Sequence, residues 1–204
     1  MSRILLAAVL GVTLIGTDAM AVEEPAFKFV LREGAFEVRD YPALVVAEVT
    51  VRGDQKEAAG RGFRVLADYI FGGNKRRQSI AMTAPVAQAP TSEKIAMTAP
   101  VTQTQNANEW VVRFTMPSAY SMETLPEPND PKVRLRVLPP SRFAVLRFSG
   151  LAREDDVAAK TAELEKLTGI HDLRATGRAS LAQYDPPWTP WFMRRNEVMM
   201  PVAP

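Results

Sequence analysis

The chain has 204 residues, a net charge of +2 and no cysteine. Without thiols it has no disulfides, no thiolate nucleophile, no iron–sulfur cluster and no cysteine-linked cofactor. Charge is balanced, and no basic stripe with interleaved aromatics is present, so the sequence does not read as a nucleic-acid binder.

The chain begins with Met1-Ser2-Arg3, one positive charge, followed by an apolar run from Ile4 to Gly16 and then Ala19-Met20-Ala21. A short basic start, an apolar core and a small-x-small site are the parts of a cleavable secretory signal. Residues 1–21 are therefore expected to be removed on export, to the periplasm or beyond. The run is shorter than the roughly 20 residues that a spanning helix needs. No cysteine follows to carry a lipid anchor, and no later stretch is long and apolar enough to cross a bilayer. The remaining 183 or so residues fit one domain.

Residues 22–34 read as an extended lead-in, and one domain is expected over 35–202. Strand pattern starts at Ala35 and is interrupted at Tyr41-Pro42. Val45, Ala47, Val49 and Val51 then alternate with Leu44, Val46, Glu48 and Thr50, a period of two. Gly53 stops this strand, and Asp54 with Glu57 three residues on reads as a helix start. The helix places Ala59, Phe63, Leu66, Ala67 and Ile70 on one face. Gly72-Gly73-Asn74 is expected to end it. Ile80-Ala81-Met82-Thr83-Ala84-Pro85-Val86 recurs as Ile95-Ala96-Met97-Thr98-Ala99-Pro100-Val101, read as two short strands of a hairpin-like unit. Strands follow over 110–116, 133–137 and 143–148, with a proline-rich loop at 117–132. A second helix is expected from Glu154 to Thr168, with its acids first and Gly169 at its end. Closing strands over 179–184 and 197–202 flank a stiff aromatic loop, Asp185 to Phe192. Strand–strand–helix–strands thus occurs twice, which predicts two similar halves.

Catalytic chemistry finds little support. His171 is the only histidine; it follows the second helix, where a lone His reads as a surface or capping residue. No G-x-S-x-G elbow, zinc-ligand set, phosphate loop or paired carboxylates stand out. Seven methionines lie in the mature chain. They fall inside strands rather than in M-x-x-M clusters, so they read as core filling rather than a Cu(I) site.

Four segments point to one family: the strand Tyr41 to Val51; Tyr69-Ile70-Phe71-Gly72-Gly73-Asn74; the Ile-x-Met-Thr-x-Pro-Val motif at 80–86 and again at 95–101; and Tyr184-Asp185-Pro186-Pro187-Trp188 with Arg194-Arg195-Asn196-Glu197-Val198. In this order the chain resembles the SOUL/haem-binding protein family over most of residues 28–202. The resemblance implies an α+β fold, a distorted antiparallel β-barrel of about eight strands with two flanking α-helices in pseudo-twofold halves. It also implies non-covalent, non-catalytic binding of haem or a related porphyrin in an apolar groove beside the first helix. Carried over, Phe63, Leu66, Ala67 and Ile70 line that groove, faced by Met82 and by the loop from Trp188. Thr189 stands where a propionate-binding Lys can occur, which leaves Arg61, Arg64 or Lys75 for that contact. The family shares no general axial ligand; His171 is the one histidine that could serve. The implied role is a carrier, buffer or sensor in the cell envelope. A binding module for another hydrophobic ligand or a protein is the alternative.

Overall fold

The computed structural model describes residues 22–76, 92–106, 109–186 and 188–204. Residues 1–21, where a signal is expected, and the first copy of the repeat, Met82 included, lie outside the described residues.

In chain order the elements are β1 (Lys28–Glu33), β2 (Phe36–Tyr41), β3 (Leu44–Arg52), α1 (Gln55–Ile70), β4 (Asn74–Lys75), β5 (Val101–Asn106), β6 (Glu109–Thr115), β7 (Glu127–Pro128), β8 (Arg134–Leu138), β9 (Ser141–Ser149), α2 (Glu154–Ile170), β10 (Ser180–Gln183) and β11 (Arg195–Val202). A short 3-10 turn, Trp191–Met193, lies in the β10–β11 loop. Nine strands form one antiparallel sheet in the order β1-β2-β9-β11-β10-β5-β6-β3-β8, curled into a half-barrel. β4 and β7 make a separate small ladder. Apart from the edge strand β1, the order is symmetric about the β5–β10 pair. Exchanging β2 with β8, β9 with β3, β11 with β6 and β10 with β5 maps one half onto the other, and α2 onto α1. The twofold repeat expected from the order of elements is therefore present in the topology.

Several elements differ from expectation. The lead-in contains β1, which pairs with β2; its side chains are mostly exposed, so it lacks the apolar alternation of an inner strand. The second copy of the repeat is not a strand until Val101. Ile95 donates its N–H to the last helical carbonyl, of Ile70, at 2.7 Å, and Ala99 donates to Glu23. Pro100 has no N–H to give a ladder. The neighbours of β5 are β6 and β10. α2 runs past Gly169 to Ile170, with Asp172 taking the left-handed turn at φ 53°. α1 ends as expected, with Gly72 at φ 121°. Its start is also as expected: the Asp54 carboxylate accepts the N–H of Glu57 at 2.8 Å.

Alternation along each strand divides the sheet into two faces. On the outer face α1 packs on β3 and β6, and α2 on β9 and β11. Each helix has its own apolar cluster, one around Leu66, Tyr69, Val112 and Phe114, the other around Phe36, Leu146, Leu164 and Val198. The inner face is a bowl.

α1 approaches the sheet closely at Gly62, where a Cβ would sit 2.5 Å from Cγ2 and 2.7 Å from Cβ of Val112. Gly62→Ala gains about 1 kcal/mol in helix propensity. It also forces the helix off β6, an overpacking cost of about 1–3 kcal/mol. Overpacking should win, because a Cβ held by the strand backbone cannot swing aside. Urea unfolding should show a net loss; an unchanged or raised midpoint would mean that the contact opens freely.

Candidate functional site

α1 has three kinds of surface. Ala58, Gly62, Leu66, Tyr69 and Ile70 are buried against the sheet, and the Tyr69 hydroxyl donates to the Pro126 carbonyl at 3.0 Å. Asp68, Arg61 and Arg64 face solvent. Between them Phe63, Ala67 and Phe71, spaced every fourth residue, form an apolar line down the flank. Phe63 is 37% and Phe71 56% exposed. The Phe63 ring meets Phe114 of β6 edge-on at 5.4 Å.

The sheet register carries this flank toward the aromatic loop. Phe114 pairs with Val101 of β5, Val101 with Gln183 of β10, and Gln183 with Asn196 of β11. The loop holding Trp188, Trp191 and Phe192 leaves the sheet immediately after Gln183 and returns at Arg195. Trp188 is 82% exposed. One end of the sheet therefore gathers the α1 flank, Met97 and Val101, which pack at the margin of the α1 cluster, and the loop.

The residues expected to line a groove fall into two groups. Phe63 and Ala67 lie on the open flank. Leu66 and Ile70 are fully buried in the α1 cluster. Met82 lies outside the described residues. Arg61 stands 3.9 Å from Glu57, one turn back, and Arg64 projects from the exposed side of the helix. Phe71 was missed. Extending the four-residue spacing of Phe63 and Ala67 one more turn would have found it.

His171 stands apart. It caps α2, stacks on Phe36 of β2 at 4.9 Å and lies 3.6 Å from the Glu33 carboxylate. Four strands separate β2 from β6, on which α1 lies. Among the described residues, no group of three or more His, Asp or Glu could hold a metal ion.

The bowl holds a buried ionic cluster. Arg39, fully buried, donates to Glu37 at 2.6 Å, to both Glu197 oxygens at 2.8 and 2.9 Å, and to the Tyr41 hydroxyl at 3.1 Å. The Tyr184 hydroxyl donates to Glu197 at 2.6 Å, and Arg195 donates to it at 3.0 Å. Burial works against the Glu197 charge, but hydrogen bonds from Arg39 and Tyr184, with the charges of Arg39 and Arg195, hold its pKa below the ordinary glutamate range. Burial, then the adjacent Glu197 charge, pushes the Tyr184 hydroxyl upward. Both shifts lead away from neutrality, the opposite of what a general acid–base pair needs. Arg147 completes the cluster 3.5 Å from both carboxylates, with its Nε buried and without a hydrogen-bond partner among the described residues.

A profile of the family described as SOUL heme-binding protein matches residues 22–201. A protein from Xenopus tropicalis named Heme-binding protein 1 is 28% identical over 165 residues, 80% of this chain and 82% of its own. The protein of the same name from Xenopus laevis is 28% identical over 166 residues, with the same shares. Among solved structures, the EcmrR C-terminal domain matches with a TM-score of 0.60 at 10% identity, over 82% of this chain and 96% of that one. A hydrolase from Listeria innocua matches with a TM-score of 0.51 at 12% identity, over 85% and 94%. At such identities these two likenesses show a shared fold alone.

Proposed function

Because the chain belongs to the SOUL heme-binding protein family, we propose that it binds haem or a related tetrapyrrole, non-covalently and without catalysis, against the flank of α1. The observation that carries this is the apolar line Phe63–Ala67–Phe71, whose two phenylalanines are exposed, on the helix that packs over β6; β6 is joined through β5 to β10, after which the Trp188 loop begins. A porphyrin is a flat apolar disc with two carboxylates at one edge. It needs an apolar wall with guanidinium groups at the rim. Phe63 and Phe71 supply the wall, and Arg64, exposed on the adjacent solvent side of the same helix, supplies a cation for a propionate, while Arg61 lies round the helix beside Glu57. Bound haem would supply an iron centre; the residues of the flank include no imidazole or thiolate to ligate it. They fit the disc and its carboxylates rather than the metal. Binding should therefore depend little on iron.

The signal-like start of the sequence favours a role as carrier, buffer or sensor in the cell envelope. A full-length and a leaderless form that accumulate in the same cell fraction would argue against that location.

Titrating the purified mature protein with haemin and following the Soret band tests the binding itself. Saturation is expected below roughly 10 μM, a free energy of about −7 kcal/mol. Metal-free protoporphyrin IX should bind within about tenfold of haemin. Absence of saturable haemin binding in that range sinks the proposal. A strong preference for the iron form would mean that a side chain of the protein ligates iron.

A further inference from the structure

The opposite face of the sheet holds a second concavity that the haem reading does not use. A cavity of about 310 Å³ opens inside the bowl, with the N-terminal segment Glu24–Phe27 along one edge. Its composition changes across the sheet. Central strands β5, β6 and β10 supply Thr102, Thr104, Thr115, Ser180 and Arg113; the flanking strands supply Leu44, Val46, Leu138 and Phe143 as apolar walls.

The charges at the cavity do not balance. Glu24 is taken by Arg195 at 3.0 Å. Arg113 shares the Glu48 carboxylate with Arg136, at 2.7 and 3.0 Å, so two guanidiniums meet one carboxylate. Arg178 lines the mouth, is exposed, and has no ion-pair partner among the described residues. The polar floor is therefore cationic and carries the hydroxyls of Thr102, Thr104 and Thr115, with that of Ser180 donated to the Met199 carbonyl at 3.3 Å, while the walls are apolar.

We propose that this bowl is a binding site for a small amphipathic organic anion, of the class of medium-chain carboxylates. The carboxylate lies on the hydroxyls of the floor between Arg113 and Arg178, and the chain lies between the apolar walls. An Arg–carboxylate pair in a partly desolvated setting is stronger than one in open water. The volume lies at the small end of ligand-sized pockets, which span roughly 300–1,000 Å³. That selects a single chain or ring over a second tetrapyrrole. The site is separated from the α1 flank by the thickness of the sheet, so the two proposals stand independently.

Isothermal titration of the mature protein with decanoate, and with decyltrimethylammonium as a cation of the same chain length, tests the site. Decanoate should bind saturably and at least about tenfold more tightly than the cation. Arg178→Glu, at an exposed position, should weaken decanoate by about tenfold and remove the preference. Thr104→Phe should block decanoate while leaving haemin binding unchanged. The proposal is overturned if decanoate gives no saturable heat below about 1 mM, or if the cation binds equally well. Full decanoate affinity in Arg178→Glu, or displacement of decanoate by haemin at one shared site, also overturns it.

Discussion

Replacing Arg39 by methionine should lower the free energy of unfolding by about 3–5 kcal/mol, a large part of the roughly 5–15 kcal/mol typical of a domain. Arg39 is 0% exposed and is the shared donor to Glu37, Glu197 and Tyr41. Methionine matches much of its volume, so packing is little disturbed. The loss comes from two buried carboxylates left without that donor. Urea unfolding at neutral pH measures it. The acid limb adds a check. The folded-state pKa of Glu197 lies below its ordinary value, so its contribution is complete above about pH 4.3. It is lost as pH falls through the depressed folded value. In Arg39→Met the depressing partner is gone, and the gap between variant and wild type should narrow below about pH 4. A gap that stays constant down to pH 3 would assign the loss to packing instead. Changing Glu197 to leucine in the same chain should recover part of the loss, because one stranded charge goes with it.

The second large effect separates two neighbours on α1. Leu66→Ala should cost about 2–5 kcal/mol, since Leu66 is buried under the helix and leaves a cavity there. Phe63→Ala should cost only about 1–2 kcal/mol, because the ring is partly in water already. Haemin affinity should show the reverse order. Phe63→Ala should weaken haemin by about tenfold or more, and folded Leu66→Ala should keep it within about threefold. If Leu66→Ala loses haemin while Phe63→Ala does not, the ligand lies elsewhere than on this flank.

The contrast between Phe63 and Leu66 marks how far the sequence could be read. Periodicity placed both on one apolar face, along with Ala67 and Ile70. A helix lying on a sheet buries only the middle of such a face, and its margin stays open. Which residue is middle and which is margin depends on where Gly62 lets the helix touch Val112. That contact joins positions 50 residues apart in the chain, and no local pattern contains it. Strand β3 was legible because its apolar and mixed positions alternate cleanly. β1 was not, because an edge strand with exposed side chains has no such signature. The cluster of Glu37, Arg39 and Glu197 was hidden for a different reason. Charged residues alternating with apolar ones read as a wet face, as Arg134 and Arg136 do on β8. Curling of the sheet buries the first three; Arg134 and Arg136 stay largely outside.

The symmetry of the sheet has a consequence for how the molecule comes apart. Each half keeps its own apolar cluster under its own helix. The halves are hydrogen-bonded at the β5–β10 seam, four residue pairs long, and Leu44 of one half packs against the inner-face cluster of Tyr41, Val145, Ala182 and Met199 in the other; at the seam Gln103 donates to Gln183 at 3.0 Å, and its buried Oε1 has no hydrogen-bond partner among the described residues. Local opening should therefore begin within one helix-and-strand unit before the shared inner face is lost. Amide exchange should then differ between the two helices when one of them is damaged, with the damaged helix exchanging first.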